Sequence, residues 1–278
     1  MTERLADISR RVHNVRQLEA VVTAMRGIAA SRAQQSRALL TPVRTHAGVI
    51  AGAIAEALAL LPSPAPRGAA PGTPSLLVLF AAEQGFAGAF NDLMLDAAMP
   101  VAGELFLIGS RGAVLAEERG LKPAWQTAMA PHVDGVLSLA ERIAAALYER
   151  LPATRPARVE MLFPVWTAGR GLAVQRRSLL PLDLTRFTRP PRRTRPLTTL
   201  PAGRLLEQLA EEYVYAELCE AALSAFAAEN EARVAAMVAA KANIGRILEG
   251  LVARERAVRQ EEITAEVVEL AAGAAAVT

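Results

Sequence analysis

Apolar residues near the start of the chain recur at intervals of three or four positions. That spacing places them along one side of a helix and is typical of a coiled-coil seam. The seam consists of Leu5, Ile8, Val12, Val15, Leu18, Val22, Met25 and Ala29. We therefore expect an N-terminal helix over residues 1–60, kinked or interrupted near Pro42, because an internal proline removes an amide donor and clashes with the preceding turn.

The end of the chain carries a second apolar stripe. All 17 prolines lie between Pro42 and Pro201, so none interrupts the segment that follows. A helix over residues 203–270 would be roughly 100 Å long, whereas a compact chain of this length has a diameter near ~50 Å. We therefore expect a C-terminal helix over residues 201–278 that extends beyond its own globule and pairs antiparallel with the N-terminal helix. Its apolar face consists of Leu205, Leu209, Tyr213, Ala216, Leu223, Phe226, Val234, Met237, Ala240, Ile244, Ile247 and Leu251.

The middle of the chain alternates between short apolar runs and amphipathic stretches. The continuous run at 76–80 is typical of a strand that is buried on both faces. The pattern predicts further strands at 104–108, 158–163 and 171–180, and helices at 91–98, 110–119 and 138–150. This order predicts a small, largely parallel, Rossmann-like α/β domain over residues 75–196. Proline-rich stretches at 62–66 and 71–74 would link it to the N-terminal helix.

Composition adds few constraints. The formal net charge is only +3, and Cys219 is the single cysteine, so the chain cannot form an internal disulfide. The most apolar segment, 47–61, is about 15 residues long and includes Glu56, which is short and polar for a bilayer span.

The sequence shows no pattern that predicts catalysis, a cofactor or a metal. The turn from Gly85 to Gly88 follows a strand, but its spacing matches neither a dinucleotide-binding fingerprint nor a P-loop, so we expect a turn without a ligand. His13, His46 and His132 lie far apart, which does not fit metal-ligand spacing. The arginine-rich segment 186–196 is a basic patch with little aromatic content, so we interpret it as a connector, with nucleic-acid binding as the alternative.

Both ends of the chain resemble the gamma subunits of F-type ATP synthases. Residues 22–32 read VTAMRGIAASR, similar to the family's IT-x-AM-x-x-VA-A-S-K, and residues 228–233 read AENEAR, similar to its SE-x-x-AR. Residues 259–276, with RQ, ITAE and ELAAGAAA, resemble the family's RQ-x-x-IT-x-E-x-x-EI-x-x-GAAA. The turn at 83–89 departs from the family pattern, and Val238 and Lys241 replace its usual Lys and Thr. The chain therefore resembles a divergent bacterial member.

The resemblance implies a non-catalytic central rotor shaft without a cofactor. Its partners would be the alpha and beta subunits of the catalytic ring, the epsilon subunit and the membrane c-ring, with neither nucleic acid nor a small-molecule substrate. The complex would lie at the cytoplasmic face of the bacterial inner membrane as a peripheral assembly. The resemblance also implies partner-binding residues, namely Met25, Arg26, Arg233, Met237, Arg259, Gln260, Thr264 and Glu266.

Two other interpretations of the sequence stay open at this point. One is an enzyme of unknown reaction on the α/β domain with helical arms. The other is a coiled-coil adaptor or nucleic-acid-binding protein. Copurification with Walker-motif ATPase subunits would separate both from the rotor.

Overall fold

A computed structural model describes residues 5–61, 75–99, 103–154, 156, 158–187 and 197–275. The proline-rich stretches at 62–66 and 71–74 lie outside these residues, as does most of the arginine-rich connector. The described part begins and ends with long helices: α1 spans Leu5–Leu58 and α5 spans Ala202–Ala275. Between them lie β1 (Ser75–Phe80), α2 (Phe90–Ala98), β2 (Glu104–Ile108), α3 (Ser110–Glu118), β3 (Trp125–Thr127), α4 (Val136–Thr154), β4 (Arg158–Thr167) and β5 (Gly171–Leu180).

Helix α1 runs through Pro42, so an interruption at this residue is wrong, whereas a kink there stays a prediction. A helix-interior proline costs about 3 kcal/mol. Tertiary packing offsets that cost. Leu40 and Val43 pack against one apolar cluster, and Ile50 and Ile54 are buried in another.

The five strands form one sheet in the order β3-β2-β1-β4-β5. All neighbours are parallel except β4 and β5, which pair antiparallel. The prediction of a largely parallel α/β domain between long terminal helices is confirmed. The short strand β3 was not predicted, and both β4 and α4 extend further than the sequence pattern suggested.

Each face of the sheet is covered by helices. Along β1, Leu76, Val78 and Phe80 belong to a cluster that includes α4 and the part of α5 from Val214 to Phe226. Leu77 and Leu79 point the other way, into a cluster that includes α2, Ala228 and Ala232. Burial on both faces explains why β1 reads as an unbroken apolar run rather than an alternating one.

The chain divides into two compact units, one comprising Met1–Ile28 with Val234–Thr278 and the other comprising Ala29–Arg233. The segment boundaries 1–60, 75–196 and 201–278 stay a prediction. Helix α1 contains an 18-residue window with mean hydropathy 1.2, so by length and composition alone it could cross a membrane. The core helices of water-soluble proteins meet the same criterion.

Candidate functional site

The loop after β1 lies where nucleotide-binding folds hold phosphate, and a side chain of this chain fills that position. The carboxylate of Glu83 accepts the backbone N–H of Ser110 and the backbone N–H of Met129, each at 2.8 Å. It also accepts the Ser110 hydroxyl at 2.8 Å. Ser110 is the first residue of α3, so the carboxylate also interacts favourably with the positive end of that helix dipole. Donors from the segments after β2 and β3 are therefore bound by a carboxylate of the chain itself.

The backbone of the same loop is bound by α5. The carboxylate of Glu229 accepts the N–H of Glu83 at 3.0 Å and the N–H of Gln84 at 3.1 Å. Glu229 is buried, with 4% of its surface exposed. A buried carboxylate needs hydrogen bonds and a counter-charge to stay ionised.

Arg233, one turn along α5, supplies that counter-charge. Its guanidinium donates to Glu229 at 2.5 Å, to the side-chain oxygen of Asn230 at 3.0 Å and to the carbonyl oxygen of Gly85 at 3.2 Å. Arg233 is itself buried. Its bonds are therefore made within the chain, although the sequence suggested a partner contact. We call Glu83, Glu229 and Arg233 together the clasp.

The loop bound by the clasp holds a strained backbone. Phe86 has φ 62°, a conformation that costs a non-glycine residue of order 1–3 kcal/mol. Its side chain is also 69% exposed, so core packing does not compensate for this strain. Such strain persists only where the surroundings impose it, and here the preceding residues Glu83, Gln84 and Gly85 are all bonded to α5.

In the unit formed by residues 1–28 and 234–278, α1 and α5 form an apolar seam. Val22, Met237 and Ile244 are its buried core, and Met25 packs against them. The hydroxyl of Ser9 donates to Glu255 at 2.6 Å, and Lys241 lies 3.9 Å from Glu19. A residue later in α1 thus contacts a residue earlier in α5, so the two helices are antiparallel. Of the predicted partner-binding residues, Met25 and Met237 pack inside the seam, whereas Arg26 is exposed.

The remaining four predicted residues lie within two turns of one another on the distal part of α5. Arg259 pairs loosely with Glu255 at 3.5 Å, and the Thr264 hydroxyl donates to the carbonyl oxygen of Gln260 at 2.8 Å. Gln260, Thr264 and Glu266 are all exposed. Apolar side chains beside them, including Ile263 and Val267, are more than half exposed. This stretch combines polar and apolar groups that another chain could cover.

A buried charge cluster between β5 and α5 was missed by sequence reasoning. Arg177 donates to Glu217 at 2.7 Å and to Glu220 at 3.0 Å, and Arg44 donates to Glu220 at 2.9 Å. Arg177 also lies 5.1 Å from the ring centroid of Phe163. The signal was present, because Glu220 is four residues after Ala216, on the apolar stripe of α5. A charged residue in such a stripe indicates a buried partner.

These neighbours set the protonation of the cluster. Burial disfavours the Glu220 carboxylate, but the hydrogen bonds and positive charges of Arg177 and Arg44 outweigh it, so the pKa of Glu220 lies below its ordinary value. Burial, with the nearby carboxylate of Glu217, raises the pKa of Tyr213 to about 12. Glu220 is therefore ionised around neutral pH, with the neutral phenol of Tyr213 in the same cluster.

The described residues contain no group of His, Cys, Asp and Glu that could hold a metal ion. His13 instead contacts Gln17, and His46 contacts Glu212. Cys219 is buried, and burial is the main cause that raises the pKa of its thiol to about 11. The thiol is therefore protonated at neutral pH, as expected of a packing residue.

Comparisons with known proteins support the fold described above and the family resemblance of both chain ends. Residues 4–277 match the ATP synthase family. The chain is 27% identical to the ATP synthase gamma chain of Solibacter usitatus, covering 98% of both chains. It is 29% identical to the ATP synthase gamma chain of Streptomyces avermitilis, covering 99% of this chain and 97% of that one.

A solved structure has the same fold. A chain of the Euglena gracilis mitochondrial ATP synthase, in a structure of the OSCP, F1 and c-ring in rotational state 3, aligns with a TM-score of 0.67. The alignment covers 98% of this chain and 94% of that chain, at 13% identity.

Proposed function

Because this chain belongs to the ATP synthase family and matches its gamma chains from end to end, we propose that it is the central rotor shaft of an F-type ATP synthase. The shaft couples ion flow through the membrane sector to ATP synthesis or hydrolysis in the catalytic ring. It is a non-catalytic subunit of a membrane-associated complex. The observation that carries this function is the match over residues 4–277, which includes both long helices and the α/β domain between them.

The proposed partners follow from the family and from the exposed surfaces. The alpha and beta subunits would surround the distal part of α5, whose residues 259–272 are exposed in the isolated chain. The epsilon subunit and the c-ring would contact the α/β domain. In a bacterium, the complex would face the cytoplasm from the inner membrane. The Euglena gracilis structure, which includes F1 and the c-ring, supports this set of partners by analogy of fold.

We assign the predicted partner-binding residues to two roles. Arg26, Arg259, Gln260, Thr264 and Glu266 are exposed, and they would contact the catalytic ring directly. The side chains of Met25, Arg233 and Met237 pack within the chain, so they would act by holding the surface that the ring contacts.

The experiment is ATPase and ion-pumping assays on reconstituted complexes with substitutions in α5. A neutral hydrogen bond contributes about 1 kcal/mol, and a difference of that size is about fivefold in rate. Gln260→Leu and Thr264→Val should therefore each lower coupled turnover severalfold while the complex still assembles. Deletion of residues 271–278 should do less, because small residues at the tip make few specific bonds.

The opposite pattern would contradict this assignment. If both substitutions leave ATPase and pumping rates unchanged while the tip deletion abolishes them, the contact zone lies at the tip. If the chain does not copurify with Walker-motif ATPase subunits at all, the rotor function itself is wrong.

A further inference from the structure

Glu83 takes part in two sets of hydrogen bonds that meet at the carboxyl edge of the sheet. Its own backbone N–H is held by Glu229 of α5. Its side chain holds Ser110, which follows β2, and Met129, which follows β3. One residue therefore links α5 to the loops after three neighbouring parallel strands.

Backbone bonds bring those loops close to one another. The N–H of Ala81 donates to Ile108 at 2.8 Å, and the N–H of Gly109 donates to Thr127 at 2.9 Å. Gly109 has φ 113°, and a Cβ there would lie 2.5 Å from the carbonyl oxygen of Ala81. The glycine is required for this approach, and the approach places α3 within reach of the Glu83 carboxylate.

The two residues of the clasp that lie on α5 are held in place by their burial and by each other's charge. Glu229 and Arg233 are 4% and 5% exposed, and they form a buried ion pair. Removing one member of such a pair leaves an unpaired charge in the interior, so the pair resists separation. Both of its members also bind the loop, through the backbone of Glu83, Gln84 and Gly85.

We propose that Glu83 is a positioning residue that fixes the carboxyl edge of the sheet to α5, so that torque applied to the α/β domain reaches the helix at Glu229. Without this link, the loop at 83–88 would yield before the helix turned. The proposal rests on the rotor function, because only a rotating subunit carries torque between these elements. It also accounts for Phe86, whose positive φ is maintained by the bonded residues that precede it.

The test compares three variants in reconstituted complexes with equal amounts of the assembled chain. Glu83→Ala removes every bond to Ser110 and Met129. Glu83→Gln keeps an oxygen for the two N–H donors and an amide that can donate to the Ser110 hydroxyl. Glu118→Ala, in the exposed last turn of α3, is the matched control.

Two measurements are made on each complex. Hydrogen exchange at the amides of Ser110 and Met129 should accelerate about tenfold or more in Glu83→Ala, because each amide loses the side-chain oxygen that accepts its hydrogen bond. The number of ions pumped per ATP hydrolysed should fall at least about twofold in the same variant. Glu83→Gln should stay close to wild type in both measurements, and Glu118→Ala should match wild type.

Two results would overturn the proposal. One is an unchanged pumping ratio in Glu83→Ala despite faster exchange at Ser110 and Met129. The other is a lowered ratio in Glu118→Ala as well. If Glu83→Ala does not assemble, Glu83→Asp replaces it, since its shorter side chain cannot reach both loops, and a wild-type ratio in that variant overturns the proposal too. A wild-type complex that hydrolyses ATP without pumping would instead contradict the rotor function itself.

Discussion

Arg177 lies on β5 with two carboxylates of α5 around it, and all three side chains are largely buried. Such a cluster contributes little net stability compared with an apolar one, because each charge loses its hydration. We expect its main effect to be on how β5 and α5 pack against each other. An unpaired member is so unfavourable that β5 and α5 can pack in only a few registers. The clasp around Glu229 follows the same principle at the carboxyl edge of the sheet.

Arg177→Ala should therefore be strongly destabilising, by about 3–5 kcal/mol, because Glu217 and Glu220 lose a buried counter-charge. Arg176→Ala is the matched control from the same strand. Arg176 is 51% exposed, and Glu160 would keep Arg158 at 3.6 Å. The control should cost less than about 1 kcal/mol. Chemical denaturation followed by circular dichroism measures both, and equal losses in the two variants would contradict a buried cluster.

At the scale of elements, α1 shows how packing overrides local preference. Pro42 lies inside a helix of 54 residues because the side chains on both sides of it are anchored in apolar clusters. Further towards the N-terminus, the same helix pairs with α5 through the seam around Val22 and Met237. Long-range contacts thus determine the continuity of α1 and its pairing with α5.

The antiparallel seam predicts a specific crosslink. In a Cys219→Ala background, Ser9→Cys and Glu255→Cys should react within one chain with a short bifunctional maleimide, because their parent side chains are hydrogen bonded. Ser9→Cys with Arg246→Cys is the control, since position 246 lies about 13 Å from position 255 along α5. Products are separated by gel electrophoresis at low protein concentration. Exclusively intermolecular products would indicate a homodimeric coiled coil instead.

At the scale of the whole molecule, the two units have different chemistry. The unit from Ala29 to Arg233 holds the sheet, both large apolar clusters and the buried charges. The unit formed by the chain ends has a small apolar cluster and a long, polar and exposed stretch of α5. Both suit a subunit that transmits motion between other subunits.

The isolated chain should therefore show no ATP turnover of its own. The sequence contains no P-loop, and the strand-end position of the α/β domain is filled by Glu83. Phosphate release by the purified chain measures this, with the reconstituted complex as the positive control. Turnover that copurifies with the chain and disappears when its own residues are substituted would contradict a non-catalytic role.

The sequence by itself determined most of the helices and strands of this protein, although not β3. Periodic apolar residues predicted both long helices, the second of them in a segment without proline. The unbroken run at 76–80 predicted a strand covered on both faces. These predictions succeed because hydrophobic periodicity is a local property that any stable packing must respect. The motifs at the chain ends added the family, since AENEAR and the RQ–ITAE segment are specific in residue type and spacing.

Only the tertiary structure decided how the charged residues are used. Glu83 and Glu229 are 146 positions apart, and Arg177 and Glu217 are 40 apart, so no local pattern could pair them. The place of Pro42 inside α1 also depends on the tertiary structure, because packing against residues distant in sequence offsets the free-energy cost of a proline in a helix. The tertiary structure also decides the orientation of Arg233, which the motif suggested as a partner contact and which the fold turns inward. Which charged residues pair depends on which elements pack together, and that packing depends on the whole core.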